Sequence, residues 1–192
     1  MKYIKQVDYP HWLFVTRTDL EKEQQERGKT TTIRSSGCGI CSAVMLAHRL
    51  LPNCTFELKD AIDLAYETKA NFEIGTNYGV YAPALAEKLG LRLEMTNDLE
   101  QLRYCLRTGG AAVVNVGPGT FTRGGHYIVA INEEPDGRLA ILDPGLWEGK
   151  FESDDRKGKV EFKNNVIALC SGETLSEDAA KRNPGYYLFW RG

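Results

Sequence analysis

The 192-residue sequence contains no apolar run that approaches the ~18 residues needed to cross a bilayer. Its longest apolar runs, residues 111–114 and 186–190 among them, have the length of β-strands. The first six residues include no apolar stretch long enough for a signal peptide. The sequence therefore predicts no membrane span and a location in the cytoplasm.

Charge of one sign is not in excess either. Lys and Arg total 24 and Asp and Glu total 26, which gives a formal net charge of −2. This balance disfavours a nucleic-acid-binding surface and a membrane-surface partner. Hydrophobic residues make up 42% and charged residues 26%, which is typical of a globular chain and excludes a disordered or fibrous one. A chain of this length fits one domain, residues 1–192, whose oligomeric state the sequence does not predict.

Cysteines number five, at positions 38, 41, 54, 105 and 170. An odd number in a chain without a signal peptide indicates reduced thiols rather than a disulfide framework. Cys54, Cys105 and Cys170 lie in apolar or helical segments and are predicted to be small buried side chains. A structural zinc site would need a second Cys/His pair beside Cys38 and Cys41. The sequence has no such pair, so no metal and no cofactor is predicted.

Hydrophobic periodicity divides the chain into two parts. In the first, about residues 1–110, the patterns predict helices from near Cys38 to Leu51, over 56–69, over 80–89 and after the cap signal at 97–100, with a short strand at 91–95. In the second, about residues 111–192, they predict strands at 111–116, 126–132, 139–143 and 186–190, a polar segment at 150–165 and a short helix at 176–182. Helices followed by antiparallel strands indicate an α+β fold.

Cys38 lies at the start of the first of these helices, between Gly37 and Gly39. Backbone N–H groups and the positive end of the helix dipole stabilise a thiolate there, and the thiolate is the nucleophilic form of cysteine. The flanking glycines have no side chains, so a substrate carbonyl can approach the sulfur closely and meet the Cys38 N–H as an oxyanion donor. Cys38 is therefore the candidate nucleophile, and it needs a base.

Three histidines are available as that base. His11 lies in a Pro-His-Trp context and is interpreted as structural or exposed. His48 follows Cys38 by ten residues, which is ~15 Å of helix rise, so it cannot reach the helix start. His126 opens a buried strand directly after two glycines. It is the candidate base.

A carboxylate is predicted close to His126. If the turn between the strands at 126–132 and 139–143 centres near residues 134–136, facing positions have numbers that sum to roughly 269–271. Asp143 is then a cross-strand or diagonal neighbour of His126. Taken alone, Asp143 fits a turn residue before Pro144 and His126 fits a core histidine equally well. Together with Cys38 they favour a functional interpretation, because a carboxylate there fixes the imidazole tautomer and stabilises the charged ring.

Three short motifs resemble the bacteriocin-processing (double-glycine leader) peptidase family, in particular its stand-alone bacterial relatives in the papain-like superfamily. These motifs are residues 37–39 leading into a helix of small residues, residues 125–129 opening a strand, and residues 143–144 ending the next strand. The resemblance covers about residues 30–145, and the strand at 186–190 is similar to the closing strand of that family.

The resemblance implies a papain-like α+β fold with an N-terminal helical layer packed on a C-terminal antiparallel sheet. It also implies a cysteine peptidase that cleaves a peptide or amide bond in a peptide or protein substrate. In that mechanism Cys38 is the nucleophile, His126 is the base and acid, and Asp143 orients His126. A thioester forms at the substrate carbonyl and is then hydrolysed.

The chain departs from the family pattern at two places. The family commonly has Gly-Cys-Gly-Pro, whereas Ile40 stands in place of the proline and Cys41 follows it. Papain-like enzymes often carry a glutamine several residues before the nucleophile as a second oxyanion donor, and residues 30–36 contain none. Gln24 and Gln25 are too distant in sequence to assign. Loss of one such donor costs ~10²–10³ in rate, so a weak or inactive member stays open.

Three other interpretations also stay open. Cys38 and Cys41 have the spacing of a thiol–disulfide oxidoreductase, although the polar residues 29–36 do not form the buried strand that usually precedes that motif. The fold can serve as a non-catalytic peptide-binding module. It can also serve as an acyl transferase or deamidase that uses the same three side chains. A disulfide between Cys38 and Cys41 that blocks the nucleophile under oxidation is a further hypothesis.

Overall fold

A computed structural model describes residues 1–10, 32–72 and 75–192. A single 3₁₀ turn covers Gln6–Asp8. The helices are α1 (Ile33–Ser36), α2 (Cys38–Leu50), α3 (Leu58–Glu67), α4 (Tyr78–Leu89), α5 (Leu99–Arg107) and α6 (Gly172–Ala179). The strands are β1 (Asn71–Phe72), β2 (Gly75–Thr76), β3 (Leu91–Thr96), β4 (Ala111–Val116), β5 (His126–Glu133), β6 (Leu139–Leu142), β7 (Val160–Phe162), β8 (Ile167–Cys170) and β9 (Tyr186–Arg191).

Seven strands form one antiparallel sheet in the order β3-β9-β4-β5-β6-β8-β7. The central strand β4 reads Ala-Ala-Val-Val-Asn-Val, an almost continuous apolar run, because both faces of the sheet are covered. Val113 and Val129 belong to the hydrophobic cluster on one face. Val114 and Ile128 belong to the cluster on the other face. Alternate side chains of the same strands therefore stabilise two separate layers.

The helices divide between these two faces. Buried side chains of α2, α3 and α4 pack in the first cluster. Those of α5 and α6 pack in the second. The predicted α+β fold is confirmed, with the N-terminal helices on a seven-stranded antiparallel sheet. The predicted two-part division is too simple, since α5 and α6 cover the far face and β3 joins the sheet at its edge.

Helix α2 is buried along almost its whole length and packs on β5 and β4. Its run of Ala, Val, Met and Leu residues combines helix-forming side chains with an apolar surface. The helix ends at Leu50, two residues before Pro52, as predicted. Because α2 cannot slide in this packed environment, the position of its first residue, Cys38, is fixed against the central strands.

Several element boundaries differ from those predicted. The predicted helix at 176–182 is wrong in position: α6 begins at Gly172, because the Ser171 side chain accepts the N–H of Thr174 and caps the helix there. Asp98, rather than Asn97, caps α5. The polar segment predicted at 150–165 includes the edge strand β7. Within the ranges that the structure describes, none of the helices has both the length and the apolar character needed to cross a membrane.

Candidate active site

Cys38 is the first residue of α2 and is partly exposed. Helix α1 ends two residues earlier, and Gly37 joins the two helices. A Cβ atom at Gly37 would lie 2.7 Å from the carbonyl oxygen of Ile33, so this tight joint requires glycine. A Cβ atom at Gly39 would lie 2.9 Å from Thr76 Oγ1, which shows how closely β2 approaches the helix start. The two glycines therefore set the geometry around the thiol.

His126 is the first residue of β5 and is buried, with 8% of its surface exposed. Its Nε2 lies 2.7 Å from Asp143 Oδ1. The ring and the Cys38 thiol line the same cleft, where His126 acts on the pKa of the thiol. Because Nε2 faces Asp143, the other ring nitrogen is the one available to the sulfur. The structure thus brings the three predicted side chains together in the order Cys38, His126, Asp143.

Asp143 follows β6 directly and is buried, with 1% of its surface exposed. The facing pair Val129 and Leu142 has position numbers that sum to 271, as the hairpin arithmetic predicted (129 + 142). A β-bulge between Ala130 and Asn132 shifts the register by one on the far side. Asp143 lies just beyond the last paired residue on the His126 side, which is why its carboxylate reaches the ring.

The Cys38 thiol ionises more readily than an ordinary thiol. Burial alone would raise its pKa, but the hydrogen bond and the charge of His126 lower the pKa below the ordinary value. The backbone N–H groups of Tyr127 and Gly39 lower the pKa further. The site therefore favours a thiolate at position 38.

The pKa values of His126 and Asp143 shift in opposite directions. Burial alone would lower the pKa of His126, but the charge and hydrogen bond of Asp143, and those of Cys38, raise it to about 9. Burial alone would raise the pKa of Asp143, but His126 and Lys150 lower it to about 2. At neutral pH the ring is therefore protonated and the carboxylate ionised.

Lys150 is a member of this cluster that the sequence did not indicate. Its side chain is 5% exposed, and its Nζ lies 2.5 Å from Asp143 Oδ2 and 3.1 Å from the carbonyl oxygen of Gly145. The Arg156 guanidinium donates to the Lys150 carbonyl oxygen at 3.1 Å and is itself buried. A lysine in a polar segment carries no sequence signal for burial, so only the folded chain reveals this contact.

The remaining predictions for the cysteines and histidines have separate outcomes: Cys105 and Cys170 are buried as predicted, whereas Cys54 is partly exposed. Cys41 is completely buried, and burial raises the pKa of its thiol strongly. The residues before Cys38 form helix α1 rather than a buried strand, which disfavours the oxidoreductase interpretation. His48 lies at the end of α2, where its Nε2 is 3.0 Å from the carbonyl oxygen of Phe56. His11, Gln24 and Gln25 lie outside the described residues.

A cleft of about 390 Å³ opens beside the thiol. Its lining includes Thr76 of β2, Asn77 at the start of α4, Asn115 of β4 and Arg182 in the turn after α6. Cys38 and His126 line the same cleft. Within the described ranges no group of three or more His, Cys, Asp or Glu side chains has a metal-binding arrangement. The cleft therefore places polar side chains next to the Cys38 thiol.

Comparison with solved structures supports the fold. The chain is similar to the crystal structure of a protein from Bacillus anthracis described as a proposed C39-like peptidase. The TM-score is 0.55 at 13% sequence identity, over 81% of this chain and 89% of that chain. Neither the protein-family models nor the curated proteins gave a match. At this identity the likeness shows the shared fold, and the chemistry rests on the residues themselves.

Proposed function

We propose that this protein is a cysteine hydrolase that cleaves a peptide or amide bond through Cys38, His126 and Asp143. The observation that carries the proposal is that Cys38 and His126 meet in one cleft, with His126 Nε2 held 2.7 Å from Asp143 Oδ1. It combines an activated nucleophile, a base within reach and a group that orients the base. The similarity of the fold to that of a proposed C39-like peptidase agrees with a peptide or protein as substrate.

In the acylation step the Cys38 thiolate attacks the carbonyl carbon of the scissile bond. The bond between sulfur and carbon forms, and the electron pair of the carbonyl moves to its oxygen. The Cys38 backbone N–H, at the first turn of α2, supports this oxyanion. His126 then donates its proton to the leaving nitrogen, the carbon–nitrogen bond breaks, and a thioester remains on Cys38.

In the deacylation step the now neutral His126 accepts a proton from a water molecule. The resulting hydroxide attacks the thioester carbonyl, the carbon–sulfur bond breaks, and the acid product leaves. The thiolate and the imidazolium are restored, and Asp143 stabilises the charged ring in each half of the cycle. All five cysteines are free, which fits the predicted location in a reducing compartment such as the cytoplasm.

The direct test uses an activated ester, because the natural substrate is not needed to form the thioester. We expect p-nitrophenyl acetate to release a burst of one p-nitrophenolate per protein and to leave one acetyl group on Cys38, detected by peptide mass mapping. Cys38→Ala abolishes the burst. His126→Ala keeps the site but slows the burst, because the thiol is no longer activated, and the later turnover, because proton transfer from water is lost, each by ~10²-fold or more.

Two cysteine controls isolate the role of Cys38. Cys54→Ala removes the other partly exposed thiol, and Cys41→Ala removes the buried neighbour. Both variants are expected to keep the burst. A burst of unchanged size in Cys38→Ala, or no burst in the unaltered protein, contradicts the proposal, and the second result favours a non-catalytic binding module. Reduction of insulin disulfides that is lost in Cys41→Ala but kept in Cys54→Ala favours the oxidoreductase interpretation. Incubation with a peptide library, with Cys38→Ala as the negative control, then tests cleavage itself.

A further inference from the structure

Arg182 borders the cleft that contains Cys38 and His126. It lies in the turn after α6, where its backbone N–H bonds to the carbonyl oxygen of Ala179 at 2.9 Å. A Cβ atom at Gly125 would lie 2.6 Å from Arg182 Nη2, so the guanidinium rests directly against the residue that precedes His126. This position brings a permanent positive charge to the edge of the candidate active site.

The guanidinium has few partners among the residues that the structure describes. Its Nη2 donates to the carbonyl oxygen of Gly124 across 3.3 Å, and its buried Nε has no hydrogen-bond partner. No carboxylate of the described residues lies within ion-pair distance of it. Several other arginines form ion pairs, as Arg107 does with Glu133 and Arg123 does with Asp155. An unpaired guanidinium retains donors for a carboxylate from outside the chain.

The lining of the cleft offers Arg182 no competing carboxylate. Its described residues include Thr76, Asn77 and Asn115, which are neutral, and contain no Asp or Glu. The positive charge of the His126 ring is balanced by the Cys38 thiolate and by Asp143, so Arg182 is the described cation of this lining that has no anionic partner. A carboxylate that enters the cleft therefore meets this guanidinium.

We propose that Arg182 binds a carboxylate of the substrate next to the scissile bond and so determines specificity for anionic peptides. This inference rests on the proposed function, because it assigns the substrate class of the Cys38 site. Two sources supply such a carboxylate: an acidic side chain beside the cleaved bond, or the free carboxyl terminus of the peptide. The planar fork of the guanidinium suits either one.

Charge-selective alkylation tests the proposal without a known substrate. Iodoacetate and iodoacetamide transfer similarly sized groups to the Cys38 sulfur with loss of iodide, and only iodoacetate carries a carboxylate. The ratio of their rate constants at Cys38 at neutral pH, measured by mass mapping, reports the attraction of the site for an anion. Arg182→Gln removes the charge and Arg182→Lys keeps it. Arg92→Gln, on the edge strand β3, is the matched control for net charge.

We expect Arg182→Gln to reduce the iodoacetate-to-iodoacetamide ratio about tenfold, and Arg182→Lys to retain most of it, because a charge-assisted contact in a partly enclosed cleft accounts for an effect of that size. Arg92→Gln leaves the ratio unchanged. A ratio in Arg182→Gln equal to that of the unaltered protein overturns the proposal. The iodoacetamide rate alone tests the nucleophile, so slow labelling of Cys38 by both reagents counts against the proposed function. The iodoacetate-to-iodoacetamide ratio tests the role of Arg182 separately.

Protection of the unaltered protein distinguishes the two sources of the carboxylate. N-acetylglutamate amide carries only a side-chain carboxylate, N-acetylalanine carries only a terminal one, and N-acetylglutamine amide is the neutral control. The compound that slows iodoacetamide labelling of Cys38 more than the neutral control, in the unaltered protein but not in Arg182→Gln, identifies the source. Equal protection by all three, or by none, contradicts carboxylate binding at Arg182.

Discussion

At the scale of single residues, the carboxylate of Asp143 is saturated by its neighbours. Oδ1 accepts from His126 Nε2 at 2.7 Å and from the N–H of Gly145 at 2.8 Å, while Oδ2 accepts from Lys150. A Cβ atom at Gly145 would lie 2.9 Å from His126 Cε1, so glycine there lets the backbone approach the ring. Each contact stabilises the ionised form, which is why Asp143 remains charged although it is buried.

Asp143→Asn tests this account through the dependence of stability on pH. Because the pKa of Asp143 is lowered to about 2 from 3.8, its ionised form stabilises the folded state above about pH 4, and this contribution is lost as the pH falls toward 2. We expect the difference in unfolding free energy between the unaltered protein and Asp143→Asn to shrink by about 2 kcal/mol over that interval. Urea denaturation at a series of pH values measures it.

Asp63→Asn is the control, because Asp63 is an exposed carboxylate on α3. The difference in unfolding free energy between the unaltered protein and Asp63→Asn should change little over the same pH interval. A difference for Asp143→Asn that stays constant from pH 4 to 2 would show that the buried carboxylate is not specially stabilised.

The proximity of Cys38, His126 and Asp143 follows from local rules: a helix start, a strand start and the pairing arithmetic of one hairpin. Lys150 and Arg182 do not follow from such rules. Lys150 lies in a polar segment and Arg182 follows a short helix, and each reaches the site only through the tertiary path of its loop. Neighbourhoods of this kind depend on side-chain contacts between distant segments, which periodicity does not encode.

At the scale of elements, the segment between β6 and β7 holds the Asp143 carboxylate in position. The buried ion pair of Lys150 and Asp143 anchors it, and Arg156 holds the Lys150 backbone. Removal of one partner from a buried ion pair leaves the other charge uncompensated. The segment is therefore a structural part of the candidate site rather than a surface loop.

Lys150→Met tests this role of the segment. We expect it to lower the unfolding free energy by about 3 kcal/mol at neutral pH, as measured by urea denaturation, because Asp143 loses a buried cation. It should also raise the pKa of Asp143, so acid denaturation begins at higher pH. Lys157→Met, an exposed lysine of the same segment, should change stability by no more than about 0.5 kcal/mol. Equal stability of both variants would contradict the anchoring role.

Helix boundaries were predicted correctly where one local residue ends the helix. They were predicted incorrectly where several neighbouring residues could act as the cap. The end of α2 before Pro52 was predicted correctly, since proline removes a helix hydrogen bond. Helix α6 begins at Gly172 because Ser171 caps it. In the sequence, Ser171 is no stronger a cap signal than the polar residues near it. Strand β7 was missed because an exposed edge strand needs no apolar alternation.

At the scale of the whole molecule, the sheet joins two hydrophobic layers. Adjacent residues of β9 belong to different layers: Leu188 packs with α5 and α6, and Phe189 packs with α2, α3 and α4. Both side chains are fully buried. Because one strand holds both layers, we expect them to unfold together.

Leu188→Ala and Phe189→Ala test this coupling. Each should lower the unfolding free energy by about 3 kcal/mol or more and should shift one cooperative transition, seen equally by far-ultraviolet circular dichroism and by tryptophan fluorescence. Met95→Ala, at an exposed position on the edge strand β3, should leave the transition nearly in place. Two separate transitions, with a single one shifted by each variant, would show two independent units instead.

The fold class was predictable because the order of helical and strand periodicities is a property of the whole chain. The face of the sheet on which each helix packs was not. Both α2 and α5 carry apolar faces. The side of the sheet on which each helix packs depends on the strand order, and this differs from the chain order, since β9 lies between β3 and β4. Strand order is set by long-range pairing that one sequence does not display.

The central claim is that Cys38 is a thiolate activated by His126, and the rate of iodoacetamide labelling of each cysteine as a function of pH tests it most directly. We predict that Cys38 is labelled fastest, that its apparent pKa lies below the ordinary thiol value, and that its rate stays level until His126 loses its proton near pH 9. His126→Ala should raise the pKa of Cys38 and remove the selectivity. Slow and uniform labelling of all five cysteines, or an unchanged profile in His126→Ala, would contradict the account.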